Sequence, residues 1–419
     1  MAFLARIAHF PKLAGQVTMT RQLQIPVIFA ALPRHKAHVS IICLQIAFTM
    51  AVLANLIFVI AGDLQRYRTP TGVAEADVGM IQSIGAIGVQ NSGTALGSLY
   101  ALRGVIGVTN ASIGQPPLWR PKAENIYADT DRLRPITKAY KFRGSQGYSD
   151  TLGLQMIAGR NLTDGDAPDI GQIGSSTVFP ALITKALADR LFHGSNPLGQ
   201  QILDGTSVMR VTGVVSHLRA EITGAAEDDY AILTEFGVSS QNIGGSFVIR
   251  AAPGKLDDVL KNASVALAKA NPGHVTQLSK SMSELRQDFF QGDQAKNRMI
   301  ILILVILLAV AAFGLAGISA YWVQQRRRQI GVMRALGAAR GDVMFYFQAE
   351  NLLVVSMGLV AGVAMTYLAN NMLMSEFEIQ RIPLRYVVFS IVAVWILGQA
   401  AVLVPAIQGA KVAPSTATQ

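Results

Sequence analysis

The stretch MIILILVILLAVAAFGLAGISAYWV (residues 299–323) is followed directly by QQRRRQIGVMRALGAARGDV (residues 324–343). The first 25 residues carry no charge, whereas the next 20 contain five arginines and one aspartate. An apolar helix of about 20 residues crosses the roughly 30 Å of hydrocarbon in a bilayer. The basic segment after it suits nucleic acid, a lipid headgroup, membrane orientation or another protein. The rest of the chain decides between these alternatives.

Uncharged runs predict four transmembrane helices in this chain of 419 residues. The mean hydropathy of +0.36 and the 15% content of charged residues are too apolar for an ordinary soluble protein. The first run is interpreted as a retained anchor, because 38 residues precede it and no signal-peptide cleavage site follows it. The four runs are Val39–Ala61, Met299–Val323, Asn351–Met374 and Tyr386–Gln408.

The formal charge of +10 is confined to short segments. Residues 1–38 contain five basic and no acidic residues, residues 324–346 contain five arginines and Asp342, and the C-terminal tail adds Lys411. Residues 62–298 are nearly balanced, with 23 basic and 22 acidic residues. The positive-inside rule then predicts that both termini and the middle loop are cytoplasmic. A nucleic-acid-binding domain would cluster its basic residues within one folded unit, so nucleic acid is not an expected partner.

The predicted fold class is a membrane protein with four transmembrane α-helices and a large α/β extracytoplasmic domain between helices one and two. Along the chain we predict a basic cytoplasmic tail (1–38), the first span (39–61), a periplasmic domain (62–298), the second span (299–323), a cytoplasmic loop (324–348), the third span (349–374), a periplasmic loop (375–385), the fourth span (386–408) and a cytoplasmic tail (409–419).

Strand and helix patterns alternate within the large domain. Ser207–Val215 and Ser246–Ala251 are rich in β-branched or aromatic residues and predict strands. Apolar residues at helical spacing predict helices over Ala181–Phe192 and Lys255–Ala270. This alternation is typical of a small α/β domain.

A stalk helix is predicted at the end of this domain, over about residues 281–298. Ser281 and Glu284 have the spacing of a capping box, which marks a helix start. The alternative is a shorter last helix that ends at a kink near Gly292, because glycine weakens a helix interior.

Motifs for catalysis, cofactors and metals are absent from the sequence. It contains no GxxxxGK[ST] phosphate loop, no HExxH or GxSxG motif and no Cys/His zinc spacing. Cys43, the only cysteine, lies inside the first predicted span, so no disulfide is expected. The acidic run Glu227–Asp229 is a candidate cation site, with a solvated turn as the simpler alternative.

Polar side chains within the predicted spans are few. Gln45, Asn55 and Gln399 are expected to form hydrogen bonds between helices. Gly358–Gly362 is a small-xxx-small pattern that lets helices approach closely. Glu350, at the cytoplasmic mouth of the third span, either pairs with the nearby arginines or lies exposed at the membrane interface.

Several segments resemble a known family. Residues 327–338 (RRQIGVMRALGA) resemble the R-E-I-G-x-x-R-A-L-G-A signature of the FtsX-like permeases of ABC transporters. Residues 347–350 resemble that family's F-L-x-E stretch, and residues 405–414 resemble its P-A-x-x-x-A…P ending. Residues 148–161 and 181–215 are similar to segments of the MacB-type periplasmic domain.

The resemblance implies the permease subunit of a MacB-like (type VII) ABC transporter in the bacterial inner membrane. Such permeases form homodimers or heterodimers and recruit a separate ATPase, which binds ATP and Mg²⁺, so this chain itself is expected to bind no cofactor. They transmit cytoplasmic closure to the periplasm and drive efflux or extraction, some with a periplasmic adaptor and an outer-membrane channel. The alternative output is signalling, in which the shape change activates a periplasmic enzyme.

The resemblance also implies a coupling helix over residues 329–338 that contacts the ATPase. Ile330, Met333 and Leu336 have the spacing of one apolar edge, and Gln329 stands where the family usually has a glutamate. The residues assigned to ATPase coupling are Arg328, Gln329, Ile330, Gly331, Met333, Arg334, Leu336 and Gly337, with Glu350 at the mouth of the third span.

Overall fold

The computed structural model describes residues 36–85, 92–119, 122–128, 134–168, 177–205, 207–238, 245–272, 274–335, 339–377 and 380–410. The chain divides into two compact units. One comprises Met1–Gly62 with Lys296–Gln419, and the other comprises Asp63–Ala295.

Helices and strands alternate in the middle of the chain, and long helices occupy its ends. The helices are α1 (Lys36–Arg68), α2 (Ser92–Arg103), α3 (Tyr148–Leu152), α4 (Lys185–Phe192), α5 (Leu256–Ala270), α6 (Met282–Phe289), α7 (Gln291–Gln325), α8 (Arg327–Ala335), α9 (Arg340–Phe377) and α10 (Leu384–Ala410). The strands are β1 (Val78–Gly85), β2 (Val108–Ile113), β3 (Ala123–Ala128), β4 (Thr137–Ser145), β5 (Met156–Gly159), β6 (Val178–Thr184), β7 (Gln201–Leu203), β8 (Val208–Val215), β9 (Ala231–Phe236), β10 (Ser246–Ala251) and β11 (His274–Ser281).

Four helices of the described chain are long and apolar enough to cross a membrane, and they flank the α/β domain as predicted. Three of them extend well beyond the predicted apolar runs, because charged and polar residues continue the helix past the hydrocarbon-length segment. The candidate spans are Val39–Arg68 in α1, Gln291–Gln325 in α7, Arg340–Ser375 in α9 and Leu384–Gly409 in α10.

The small-xxx-small pattern in α9 packs against α1, as predicted. A Cβ atom added at Gly358 would lie 2.8 Å from the Cβ of Ile46, and one added at Gly362 would lie 2.8 Å from the Sδ of Met50. These distances are shorter than van der Waals contact, so only glycine allows the two helices to approach this closely.

Two of the three polar side chains expected to link helices do so. The Gln45 Nε2 atom donates to the carbonyl oxygen of Ala311 at 3.4 Å, and the Asn55 Nδ2 atom donates to that of Thr366 at 3.2 Å. The buried Nε2 atom of Gln399 has no hydrogen-bond partner among the described residues. Hydrogen bonds therefore join α1 to α7 and to α9.

The α/β domain contains two sheets. The four-stranded sheet has the order β11-β1-β10-β2 and is antiparallel throughout. The seven-stranded sheet has the order β5-β8-β6-β9-β4-β3-β7 and is mixed, with β6 parallel to β8 and β4 parallel to β9. Leu99 of α2 and Val259 of α5 pack with Phe247 in the core of the smaller sheet. Leu187 of α4 packs with Ile183 and Val211 in the core of the larger one.

The predicted strands coincide with β8, to within one residue, and with β10, and the second predicted helix coincides with α5 to within one residue. The first predicted helix, over Ala181–Phe192, is wrong in its first four residues, which belong to β6. Ala181, Leu182 and Ile183 are fully buried because both faces of β6 are covered, with Leu182 in one core cluster and Ala181 and Ile183 in another. A strand that is covered on both faces has no polar face, so its apolar run is indistinguishable from a helix in the sequence.

The predicted stalk is two helices, α6 and α7. The capping box is confirmed, since the Ser281 Oγ atom accepts from the Glu284 amide at 3.2 Å and the Glu284 carboxylate accepts from the Ser281 amide at 2.8 Å. The break between the helices lies at Phe290 rather than at Gly292. Phe290 is 1% exposed and stacks edge-on with Tyr67 at 5.4 Å, so tertiary packing sets the position of the break.

The acidic run Glu227–Asp229 forms a short turn whose carboxylates accept hydrogen bonds from the protein. Asp228 accepts from the backbone amide of Thr223 at 2.7 Å, and Asp229 accepts from that of Leu218 at 3.0 Å. Within the described residues, no group of three or more His, Cys, Asp or Glu side chains is placed to hold a metal ion.

Candidate functional site in the loop between the second and third membrane helices

A short helix, α8, follows α7 after the single residue Arg326. The backbone carbonyl of Arg326 accepts from the amide of Ile330 at 3.0 Å, so the first turn of α8 starts at this residue. The predicted coupling helix over residues 329–338 begins two residues later than α8, and residues 336–338 lie outside the described part of the chain.

Ile330, one of the three residues of the predicted apolar edge, lies on the inner side of α8. Its side chain is 2% exposed and packs in a cluster with Val323 of α7 and with Val343 and Phe347 of α9. A side chain buried in this way is not available to a partner. Ile330 instead anchors α8 to the helices behind it.

The outer side of α8 is basic and includes the apolar side chain of Val332. Arg327, Arg328 and Gln329 are exposed, and Val332 is 47% exposed. Val332 follows Arg328 by four residues and Gln329 by three, so the three side chains share one face of the helix. We call Arg328, Gln329 and Val332 the outer face of α8.

The remaining residues assigned to coupling are placed only in part. Gly331 is buried. Met333 and Arg334 belong to α8, but their side chains lie outside what the structure describes, as do Leu336 and Gly337. The coupling role of these residues stays a prediction.

Glu350 forms an ion pair with Arg326, which confirms the first of the two alternatives, pairing with a nearby arginine. The second alternative, exposure at the membrane interface, is wrong. The Arg326 Nη1 atom donates to Oε1 of Glu350 at 3.0 Å and to Oε2 at 2.8 Å. Glu350 is 3% exposed, and the guanidinium of Arg326 also lies 5.9 Å from the ring centre of Trp322. The pair thus joins the start of α8 to α9, and removing one partner would cost about 3–5 kcal/mol because it leaves a buried charge without its counter-charge.

The pair borders a pocket between the helices of this unit. Ser319 and Trp322 of α7 line it, together with Phe347 and Asn351 of α9. The Nδ2 atom of Asn351 donates to the carbonyl oxygen of Gly398 at 3.0 Å, which ties α9 to α10. The support of α8 therefore includes α7, α9 and α10.

Sequence reasoning did not identify Arg326 or Val332 as site residues. A helical wheel over residues 326–335 separates Arg328, Gln329 and Val332 from Ile330, but it does not show which of the two faces is buried. The arrangement includes no Ser, Cys, His, Asp or Glu on the described residues of α8. It can bind a partner protein through a basic helix surface that apolar packing and an ion pair hold in place.

Two family profiles match the chain. The profile of the MacB-like periplasmic core domain matches residues 46–266, and that of the FtsX-like permease C-terminal domain matches residues 301–414. The second match includes α8 and Glu350.

Relatives with export or permease names are similar over part of their length. The probable syringafactin export ATP-binding/permease protein SyfD of Pseudomonas syringae pv. tomato is 29% identical, over 53% of this chain and 33% of that protein. The uncharacterized ABC transporter permease YknZ of Bacillus subtilis is 24% identical, over 53% and 55%. The macrolide export ATP-binding/permease protein MacB of Acinetobacter baylyi is 25% identical, over 60% and 37%. The matches thus span between a third and about half of each relative.

Among solved structures, the periplasmic region of MacB from Actinobacillus actinomycetemcomitans is similar, with 14% identity and a TM-score of 0.35, over 54% of this chain and 97% of that one.

The profile of the periplasmic core domain covers more than half of the present chain, and the FtsX-like profile covers its last three membrane helices. The chain therefore belongs to the MacB-like family of ABC transporter permeases.

Proposed function

We propose that the chain is the permease subunit of an ABC exporter in the bacterial inner membrane, with its MacB-like domain in the periplasm and both termini in the cytoplasm. The charge distribution supports this orientation, since the excess of basic over acidic residues lies mainly in the short segments 1–38 and 324–346. The names of SyfD and MacB support export as the output.

A separate ATPase supplies the energy and binds ATP and Mg²⁺; the match of this chain to permease and periplasmic-domain profiles supports this division of roles. The observation that carries this proposal is the outer face of α8. Its side chains are exposed, while Ile330 and the Arg326–Glu350 pair fix the helix from behind. Such a surface suits a groove with an apolar floor and an acidic rim on the ATPase.

Closure of the ATPase then moves α8 and the helices that hold it. This movement reaches the MacB-like domain along the long helices α1 and α7 and drives efflux or extraction of a substrate. Two permeases, either two copies of this chain or this chain with a second permease, work with the ATPase. A periplasmic adaptor and an outer-membrane channel complete the path where the substrate leaves the cell.

The outer face of α8 is tested with Val332→Glu in the full-length chain. A carboxylate at this position places an uncompensated charge in the apolar part of the contact, so we expect loss of the bound ATPase. The measurement is the ATPase and the ATP hydrolysis that co-purify with the tagged chain from native membranes.

The matched control is Val265→Glu on α5, where the native side chain is 56% exposed. We expect this variant to retain the ATPase. Equal recovery of ATPase with Val332→Glu and with the native chain would contradict the proposal.

A further inference from the structure

Arg286 of α6 is a buried arginine with four hydrogen bonds, all inside the Asp63–Ala295 unit. Its Nε atom donates to Oε2 of Glu75 at 2.9 Å, and its Nη2 atom donates to Oε1 of the same carboxylate. This two-point geometry is specific to the planar guanidinium, because the single ammonium of lysine cannot present two parallel donors.

The other guanidinium nitrogen caps the end of α1. The Nη1 atom of Arg286 donates to the carbonyl oxygen of Tyr67 at 2.9 Å and to that of Thr69 at 3.0 Å. Carbonyl groups in the last turn of a helix lack partners within the helix, and a positive charge there is favourable. One side chain of α6 thus donates hydrogen bonds to the carbonyl groups at the C-terminal end of α1.

The carboxylate of Glu75 also accepts hydrogen bonds from Thr71. The backbone amide and the Oγ1 atom of Thr71 donate to Oε1 of Glu75 at 3.1 and 2.6 Å. Burial raises the pKa of Glu75, but the hydrogen bonds from Arg286 and Thr71 outweigh it, so the pKa lies below its ordinary value. The carboxylate is therefore ionised at neutral pH.

The cluster lies where the chain enters and leaves the domain. Glu75 is three residues before β1, and α6 starts directly after β11. These two strands are antiparallel neighbours, with Gly79 opposite Ser281. The contact of Phe290 with Tyr67 adds an apolar link between the same two segments.

We infer that Arg286 is a positioning residue that joins the C-terminal end of α1 to α6, so that both deliver one movement to β1 and β11. This inference rests on the proposed function, in which movement reaches the domain along α1 and α7. We call this connection through Arg286 the joint. While its hydrogen bonds are intact, the C-terminal end of α1 and α6 cannot slide past each other during the ATPase cycle.

The joint is tested with spin labels at Arg68→Cys and Gln287→Cys in a full-length chain carrying Cys43→Ser. Both native side chains are exposed, at the end of α1 and on α6. With Arg286 present, we expect a single interspin distance by EPR, unchanged when the co-purified ATPase is trapped with ATP and vanadate. With Arg286→Met, we expect several distances and a dependence on nucleotide.

Arg286→Lys separates charge from geometry, since it keeps the charge but not the four hydrogen bonds. We expect it to behave like Arg286→Met. The matched control is Arg160→Met, which breaks the exposed ion pair with Asp166 in the same domain and should leave the single distance intact.

A second label pair, at Arg190 and Lys261, distinguishes a local joint from general loss of folding. We expect Arg286→Met to leave this second distance unchanged. A single unaltered distance between residues 68 and 287 in Arg286→Met would overturn the inference, as would a nucleotide-dependent distance in the native chain. If no ATPase binds the native chain, the proposed function fails, while the comparison without nucleotide still decides whether Arg286 joins the segments.

Discussion

At the scale of single residues, Glu235 is a buried carboxylate that organises the α/β domain. It is 2% exposed on β9. Its Oε1 atom accepts from the amide and the hydroxyl of Ser149, both at 2.8 Å, and Oε2 accepts from the amide of Gly147 at 3.1 Å. Burial raises the pKa of Glu235 above its ordinary value, although these hydrogen bonds act in the opposite direction.

The raised pKa has a definite consequence for stability. The folded chain holds a proton on Glu235 at pH values where the unfolded chain has lost it. The contribution of this group to the free energy of unfolding is therefore complete below the unfolded pKa and declines as pH rises through the folded pKa.

We predict that Glu235→Gln removes this decline. At neutral pH the variant should lose about 1–3 kcal/mol, because the amide nitrogen of glutamine faces the Gly147 amide and leaves a buried donor unpaired. The measurement is urea unfolding of the full-length chain in detergent from acidic to neutral pH, followed by the fluorescence of Trp119 in the domain.

Asp166 provides the control for Glu235, because its pKa is shifted in the opposite direction. Hydrogen bonds from Arg160 and Thr163 hold the pKa of Asp166 well below its usual range. Its contribution is present above the unfolded pKa and is lost as pH falls. Asp166→Asn should lower stability at neutral pH and have little effect in acid. A pH dependence of Glu235→Gln identical to that of the native chain would contradict the assignment.

At the scale of elements, the packing of α9 against α1 depends on two glycines. Gly358 and Gly362 are one helical turn apart and both face α1. Gly317 in α7 has no heavy atom within 4 Å of the position that its Cβ would occupy. Two glycines in membrane helices of one chain thus have different roles, which the sequence does not distinguish.

We predict that Gly362→Leu destabilises the four-helix unit, because the added side chain collides with Met50. Overpacking of this kind costs about 1–3 kcal/mol. Gly317→Leu is the matched control and should be neutral. Thermal unfolding of both full-length variants in detergent measures the difference, and equal midpoints for the two variants would show that α1 and α9 do not pack at these glycines.

Short elements were predicted less accurately than long ones, for identifiable reasons. Ala181–Ile183 is buried on both faces in β6, so it lacks the alternation that marks a strand. The break at Phe290 follows from a contact with Tyr67, which is 223 residues earlier in the sequence. The outer face of α8 could be identified only from the packing of Ile330 against α7 and α9.

At the scale of the whole molecule, the charge distribution predicts that two segments lie on opposite sides of the membrane. The Asp63–Ala295 unit contains a nearly balanced set of charges, whereas the segment around α8 is strongly basic. The positive-inside rule assigns the basic segment to the cytoplasm.

Cysteine labelling tests this orientation. Cys43 is the only cysteine, so Cys43→Ser supplies a background without thiols. In this background, Lys261→Cys should react with a membrane-impermeant maleimide from the periplasmic side. Arg327→Cys should react only after the inner membrane is permeabilised, and reaction of both from the same side would refute the orientation.

The sequence by itself determined the number of membrane helices, the place of the large domain between the first two, and the expected orientation. These properties depend on hydrocarbon thickness and on the charges of short loops, which are local to each segment. Only the tertiary structure decided that Ile330 anchors α8 while Val332 is exposed, and that Arg286 joins α1 to α6. Burial and hydrogen bonding between segments far apart in the chain depend on how the helices and strands pack, and no local pattern encodes that packing.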